Sequence, residues 1–171
     1  MHSPIEKYKD VIIARSKRED YERIAEIYNI YIKRGGATMA ETPHSSSDIE
    51  EWIIKMGDRE GLFSMKRGNE YVGWGIIKRY SDREGYRLTC ETSVYLFPNE
   101  RGNGYGSAFK RFLIEVCKAW DYKHLVAKIF AENEESIAYN LKLGYTIVGR
   151  QEKVGYKNGK WIDIVIMQYI T

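Results

Sequence analysis

From residue 88 to residue 120 the chain reads LTCETSVYLFPNERGNGYGSAFKRFLIEVCKAW: an apolar run, three glycines at alternate positions, then an amphipathic pattern with helical spacing. No other stretch restricts the fold as much. A strand that enters a helix through a few residues of bare backbone must lay that helix back across its own sheet. Side chains of the strand alternate, which places Leu88, Cys90, Thr92, Val94 and Leu96 on one face and Arg87, Thr89, Glu91, Ser93 and Tyr95 on the other. In the helix, Phe109, Phe112, Leu113, Val116, Cys117 and Trp120 share a face, and Lys110, Arg111, Glu115 and Lys118 are predicted to fall elsewhere. The apolar face packs on the sheet.

The glycines have a physical meaning of their own. Gly102, Gly104 and Gly106 allow backbone conformations closed to other residues, so successive N–H groups can turn toward one point. A helix begins at the same place, and its unpaired N–H groups and dipole favour an anion, to which Arg101 adds a charged fork. A pyrophosphate suits such a cradle, although a tight strand-to-helix turn explains the spacing equally well. The spacing does separate ligand classes. A dinucleotide fingerprint has its second and third glycines three apart rather than two, and a P-loop needs Gly-Lys-Ser or Gly-Lys-Thr, which is absent.

The rest of the chain supplies a sheet and its covers. "VIIARS" (11 to 16) reads as a strand, and Ile24, Ile27, Tyr28 and Tyr31 mark a helix stopped by Gly35 and Gly36. Ser47 and Glu50 form a capping box ahead of a second helix from about Asp48 to Met56. "LFSMKR", "RGNE" and "EYVGWGIIKRY" form a hairpin, and with "YRLTCETSVYLF" they predict three antiparallel strands. "HLVAKIF" is a strand and "NEESIAYNLKLGY" a short helix ended by Gly144. "TIVGRQEKV" and "KWIDIVIMQYI" close the chain as a hairpin. With 171 residues one domain and one core are expected, burying roughly two thirds of the unfolded surface. The net charge of +3 is mild and the two signs are interspersed, so no nucleic-acid partner is expected. Cys90 and Cys117 cannot build a disulfide framework and read as packed core thiols. His2, His44 and His124 are scattered, so no metal site is expected. "MHSPIEKYKD" lacks a signal peptide's apolar core, and no run approaches the ~20 apolar residues of a membrane span. A soluble, cytoplasmic protein without membrane contact is the expectation.

Arg101-Gly102-Asn103-Gly104-Tyr105-Gly106 resembles the acetyl-coenzyme A pyrophosphate loop of the GNAT acetyltransferases, in which Arg or Gln is followed by two residues, Gly, one residue, and Gly or Ala. "ETSVYLFPNERGNGYG", "NEESIAYNLKLGY" and "VGYKNGKWIDIVIMQ" narrow the resemblance to the phosphinothricin and methionine sulfone N-acetyltransferase branch. "IYNIYI", "ATMAETP" and Trp52 extend it over most of the chain. The resemblance implies an α/β (α+β) GNAT fold: one mixed, mostly antiparallel twisted sheet, helices on both faces, and fourth and fifth strands that splay to admit the pantetheine arm. It implies acetyl-coenzyme A as cosubstrate, with the backbone of Val94, Tyr95 and Leu96 pairing with the pantetheine and residues 101 to 107, ending at Ser107, holding the pyrophosphate. Asn133 matches the family asparagine that contacts the coenzyme and equally suits a helix cap. A homodimer is the family habit.

Acyl transfer to an amine needs the amine neutral, so a base is wanted near the splay. Glu91 matches the branch's glutamate, a general base acting directly or through water; taken alone it also suits an ion pair. Relatives carry tyrosine or histidine five residues before the aromatic of "LGY", where this chain has Asn140. Asparagine cannot give up a proton as an acid but can hydrogen-bond the leaving thiolate or a water. The adjacent Tyr139 points about 100° away along a helix and is expected to be a poor substitute. The coenzyme thiolate can take its proton from solvent, so no general acid is required. The branch implies a small amino-acid acceptor such as phosphinothricin, methionine sulfoximine or methionine sulfone, its carboxylate met by Arg79 or Arg87. Met39 stands where relatives have an aromatic beside the acceptor. Lys157 and Trp161 match the branch and suit either the hairpin or a dimer contact. A polyamine, an aminoglycoside or a protein N-terminus is the alternative acceptor, and an acyl-coenzyme A sensor without catalysis the alternative class.

Overall fold

The computed structural model describes residues 5–171, so His2 and the first residues of the N-terminal segment lie outside it. Eight strands form one sheet, in the order β1-β2-β3-β4-β5-β6-β8-β7. The first half holds β1 (Ile5–Tyr8), β2 (Val11–Arg15), α1 (Tyr21–Arg34), α2 (Ser46–Lys55), β3 (Gly61–Arg67) and β4 (Glu70–Arg79). The second holds β5 (Thr89–Leu96), α3 (Tyr105–Ala119), β6 (His124–Phe130), α4 (Glu134–Lys142), β7 (Thr146–Lys157) and β8 (Lys160–Ile170). Every neighbouring pair is antiparallel except β5 and β6. Those two run parallel for three residue pairs only, from Thr89↔His124 to Glu91↔Val126. Beyond Glu91 they part, which is the splay expected of the fourth and fifth strands, here β5 and β6 because β1 precedes them.

Among the described residues two cores, rather than the single one expected, cover the two faces of the sheet, because helices pack on both. Cys90, Leu96, Phe109, Phe112, Leu113 and Cys117 belong to the core beneath α3. Ile24, Ile27, Ile49, Tyr71 and Trp74 form the other, with Tyr28, Trp52 and Tyr95 packed on it from α1, α2 and β5. Burying each large apolar side chain contributes roughly 1.5–3 kcal/mol. The alternation along β5 is as expected: Cys90, Thr92 and Leu96 are buried under α3 and Tyr95 joins the aromatic face.

Two local expectations need correction, and one strand is additional. The capping box of α2 is Ser45 with Asp48, whose carboxylate accepts from Ser45 N at 2.6 Å while Asp48 N donates to Ser45 Oγ at 3.3 Å. Ser47 and Glu50 lie two residues too far along, inside the helix. β1 was not anticipated, because IEKY is short and half polar. Its pairing with β2 closes through Lys9, at φ 52°. Lys110 does not fall off the packed face of α3: it is 2% exposed. It stands three residues before Leu113 and seven before Cys117, on the flank of the buried stripe.

Candidate active site

Past β5 the chain turns and enters α3, and here the glycines divide by function. Gly102 and Gly104 both adopt φ +81°, and Gly104 is the N-cap of α3. That left-handed conformation costs an L-residue roughly 1–2 kcal/mol. Gly106 lies within the helix at an ordinary φ, and a Cβ there would meet only Leu96 Cδ1, at 3.8 Å. Among the described residues no side chain caps α3, and the N–H groups of Tyr105, Gly106 and Ser107 find no acceptor. Three convergent N–H groups with the helix dipole behind them make a site for an anion.

These groups open on a groove of about 460 Å³ walled by Val94, Tyr95 and Leu96 on one side and by Arg101, Ser107, Asn133 and Tyr139 on the other. Arg101 reaches across it to pair with Glu135 of α4. The groove narrows into the splay, a wedge of about 60 Å³ lined by Thr92, Ser93, Lys110, Tyr139 and Asn140. Ala37 and Tyr95 wall the groove on one side and a cavity of about 630 Å³ on the other, where Glu91, Lys78, Lys128 and Met39 face inward. Beside it lies a cavity of about 340 Å³ bounded by Tyr28, Trp52, Trp74 and Arg79. Trp74 is 1% exposed and its indole N–H has no acceptor among the described residues.

Glu91 is the acid of this interior. Its side chain is 13% exposed, its Oε1 accepts from Lys128 Nζ at 2.6 Å, and Lys78 Nζ lies 3.4 Å from Oε2. Both ammonium groups are about half exposed, so they can turn toward a ligand at modest cost. The lid over this cavity is fixed from below. Lys157, 3% exposed, donates to the carbonyls of Thr38 and Ala40 at 2.8 and 2.6 Å, and burial pushes its ammonium down. Met39 lies between those residues, over Gly155.

The sequence matches the acetyltransferase (GNAT) domain over residues 13–166. The chain belongs to the GNAT acetyltransferases. It is 30% identical over 153 residues to a phosphinothricin N-acetyltransferase of Alcaligenes faecalis, covering 88% of this chain and 77% of that one. It is 35% identical over 153 residues to an L-methionine sulfoximine/L-methionine sulfone acetyltransferase of Salmonella typhimurium, covering 88% and 89%. Among solved structures, a GNAT phosphinothricin acetyltransferase from Sinorhizobium meliloti in complex with acetyl-coenzyme A superposes with a TM-score of 0.89 at 27% identity, covering 95% of this chain and 89% of that one. The chain is thus an N-acetyltransferase of a family that uses acetyl-coenzyme A. Among the described residues no group of His, Cys, Asp or Glu is placed to hold a metal, and no helix is long and apolar enough to cross a membrane.

In this GNAT acetyltransferase the sequence-predicted residues separate into those at the cleft and those turned from it. Val94, Tyr95, Leu96, Arg101, Gly102, Gly104, Gly106, Ser107 and Asn133 line the groove, and Asn133 also caps α4, its Oδ1 accepting from Ser136 N at 3.1 Å. Asn103 faces away, with its amide donating to Glu100 O at 3.3 Å and its carbonyl accepting from Lys9 Nζ at 3.0 Å. The Tyr105 side chain is buried, donating to Asp10 Oδ1 at 2.8 Å, so only its backbone N–H is presented. Arg87 follows a short 3-10 turn at the opposite end of β5 and lines none of these cavities. Arg79 lines the smaller acceptor-side cavity, with its guanidinium shared among Glu60 at 3.2 Å, Asp82 at 3.1 Å and the Lys55 carbonyl at 3.0 Å. Tyr139 is not set aside by its helical phase: it lines both groove and wedge, because α4 ends beside the splay. The lysines Lys78, Lys128 and Lys110 and the indole of Trp74 escaped the sequence reading. Lys78 is the direct cross-strand partner of Glu91 and Lys128 lies two residues beyond its other partner, Val126, a signal that alternation contains once the pairing register is known.

Proposed function

We propose that this chain, acting as a single acetyltransferase domain, transfers acetyl from acetyl-coenzyme A to the amino group of a small amino-acid-like acceptor of the phosphinothricin, methionine sulfoximine or methionine sulfone type. The continuity of groove, wedge and Glu91 cavity through the shared walls Ala37 and Tyr95 carries this assignment. A donor laid in the groove meets an acceptor in the cavity only at the splay. The unpaired N–H groups of α3 fit a diphosphate, and Arg101 meets it by leaving Glu135. The edge of β5 that faces β6 has no strand partner from Val94 to Leu96, and it fits the amides of an extended arm.

Glu91 takes the proton lost by the attacking amine. Because Lys128 and Lys78 occupy its oxygens, the proton travels through a water or the amine displaces an ammonium. The freed lysines then face the acceptor's carboxylate, a role for which they are less committed than Arg79. The Trp74 indole N–H, without an acceptor among the described residues in the adjoining cavity, would suit an oxygen of the acceptor's sulfonyl or phosphinyl end. The test is coenzyme A release from acetyl-coenzyme A, read with a thiol reagent, across methionine sulfone, methionine sulfoximine, phosphinothricin, spermidine and an aminoglycoside. Selective turnover of the first three is expected. Preference for the cationic amines would replace the acceptor class.

A further inference from the structure

A lysine in a protein interior is rare, and one that faces a functional wedge asks for a reason. Lys110 lies on α3 beneath the splay, 2% exposed. Its Nζ donates to the carbonyl of Thr92 at 3.0 Å and to Thr92 Oγ1 at 2.6 Å. Two of three N–H bonds are thereby used, and the ammonium lies 4.9 Å from the ring centroid of Tyr145. Thr92 is the first residue of β5 beyond its pairing with β6. The grip of Lys110 therefore falls where the strands part.

A second observation points into the same space. Asn140 is 1% exposed; its Nδ2 donates to Ser136 O at 2.8 Å, and its Oδ1 is buried without a partner. Lys110 and Asn140 both line the wedge, which at about 60 Å³ holds about two waters at roughly 30 Å³ each. An unsatisfied acceptor and a cation with an N–H to spare thus share a small polar chamber. It opens toward Ser93 and Val94, the level a thioester reaches if its arm pairs with residues 94 to 96.

Resting on the assignment of the groove to acetyl-coenzyme A, we propose that Lys110 is the proton donor to the departing coenzyme A sulfur, with Asn140 holding the water or thiol that receives the proton. Consecutive residues of β5 then organise the two proton transfers from opposite faces: Glu91 faces the acceptor cavity, and Thr92 anchors Lys110 behind the splay. The amine nitrogen forms its bond to the thioester carbon and the carbon–sulfur bond breaks, its electron pair passing to sulfur. The proton lost by the amine goes to Glu91 and on to solvent. Lys110 gives one proton to sulfur, leaves as a neutral amine, and regains a proton from solvent when the thiol departs through the groove. Atoms and charge balance, and no metal or redox partner enters.

The surroundings of Lys110 suit this role. Burial pushes its ammonium down to about 8, against a smaller opposing pull from Cys117 and Cys90. The other titratable groups facing it are Cys90 on β5, Cys117 on α3, Tyr139 on α4, Tyr145 after α4, and Lys128 on β6 at the wedge. The hydrogen bond from Cys117 and burial hold the Cys90 thiol up, and burial likewise raises Tyr139 and Tyr145. Among these shifted groups Lys110 alone moves toward neutral pH.

Lys110→Gln separates proton supply from simple support of the strand, because glutamine can still donate to the Thr92 carbonyl but carries no ionisable proton. Lys110→Met, similar in length and without a buried charge, is the folding control. The first readout needs no acceptor: ultraviolet titration of the thiolate of coenzyme A bound to each protein. In the native protein the bound thiol is expected to be roughly tenfold more acidic than in either variant, as a nearby ammonium favours the thiolate. In turnover with methionine sulfone, kcat is expected to fall roughly 10²-fold in both variants. The affinity for coenzyme A stays within about threefold, and the native loss of kcat above about pH 8 disappears. Native kcat, pH profile and thiol titration in Lys110→Gln would reduce Lys110 to a cap on Thr92. If the native protein turns over none of the acceptors, the acceptor assignment fails separately, and the thiol titration still decides for or against Lys110.

Discussion

Under the proposed function, the coenzyme half of the cleft and the acceptor half are built from different parts of the chain's chemistry. The groove at α3 is made of backbone: the N–H groups of Tyr105, Gly106 and Ser107, bared by the turn through Gly102 and Gly104, and the unpaired edge of β5. The cavity around Glu91 is made of side chains delivered by α1, β4, β5, β6, β7, β8 and the segment from Ala37 to Glu41. Backbone can recognise a constant ligand with little help from side chains. A variable acceptor has to be read by side chains.

If that division holds, substitutions in the acceptor half should damage chemistry or acceptor binding and spare the coenzyme, and the loop should do the reverse. The largest effect is expected for Glu91→Gln, which removes the proposed base: turnover drops by roughly 10²-fold or more, with coenzyme A affinity by calorimetry unchanged. Unaltered turnover would take Glu91 out of the proton path. Next comes Gly104→Ala. Its Cβ would sit at φ +81°, 3.2 Å from the Tyr8 hydroxyl. At about 1–2 kcal/mol the coenzyme A affinity weakens by roughly tenfold, while the acceptor KM stays put; a changed acceptor KM would mean that the two halves are coupled through the loop. The smallest effect is expected for Trp74→Phe, which keeps the aromatic packing and deletes one N–H. A several-fold rise in acceptor KM corresponds to one hydrogen bond of about 1 kcal/mol, and identical KM values for methionine sulfone would leave the indole as packing alone.

The same division explains what the sequence could disclose. Glycine spacing, the strand ahead of it and the helix behind it are local, so the loop, α3 and the alternation of β5 were legible directly. Glu91 was legible through alternation and its neighbours. Lys78 and Lys128 were not, because their approach to Glu91 depends on the register of β4 with β5 and on the splay of β6. Lys110 was misplaced for a different reason: a charged residue at the margin of an amphipathic stripe is assigned to solvent by pattern, and only the packing of α3 on β5 shows that its amine finds Thr92 instead. Arg87 and Arg79 show the opposite limit: their charge alone does not disclose that Arg87 lines none of the cavities or that Glu60 and Asp82 already hold Arg79.

The strand that was not anticipated has its own consequence. The Lys9 ammonium reaches the Asn103 carbonyl, and the Tyr105 hydroxyl donates to Asp10, which Arg67 also holds at 2.7 Å while its guanidinium grips Glu100. The phosphate-facing loop is thus buttressed from behind by the turn between the first two strands. Rigidity at one end of the polypeptide becomes ligand affinity some ninety residues later, and by reciprocity a bound coenzyme should lend that hairpin its order. Amide hydrogen exchange across Ile5–Arg15 is expected to slow when coenzyme A is added; an unchanged rate would mean that the buttress holds the loop without sharing its free energy.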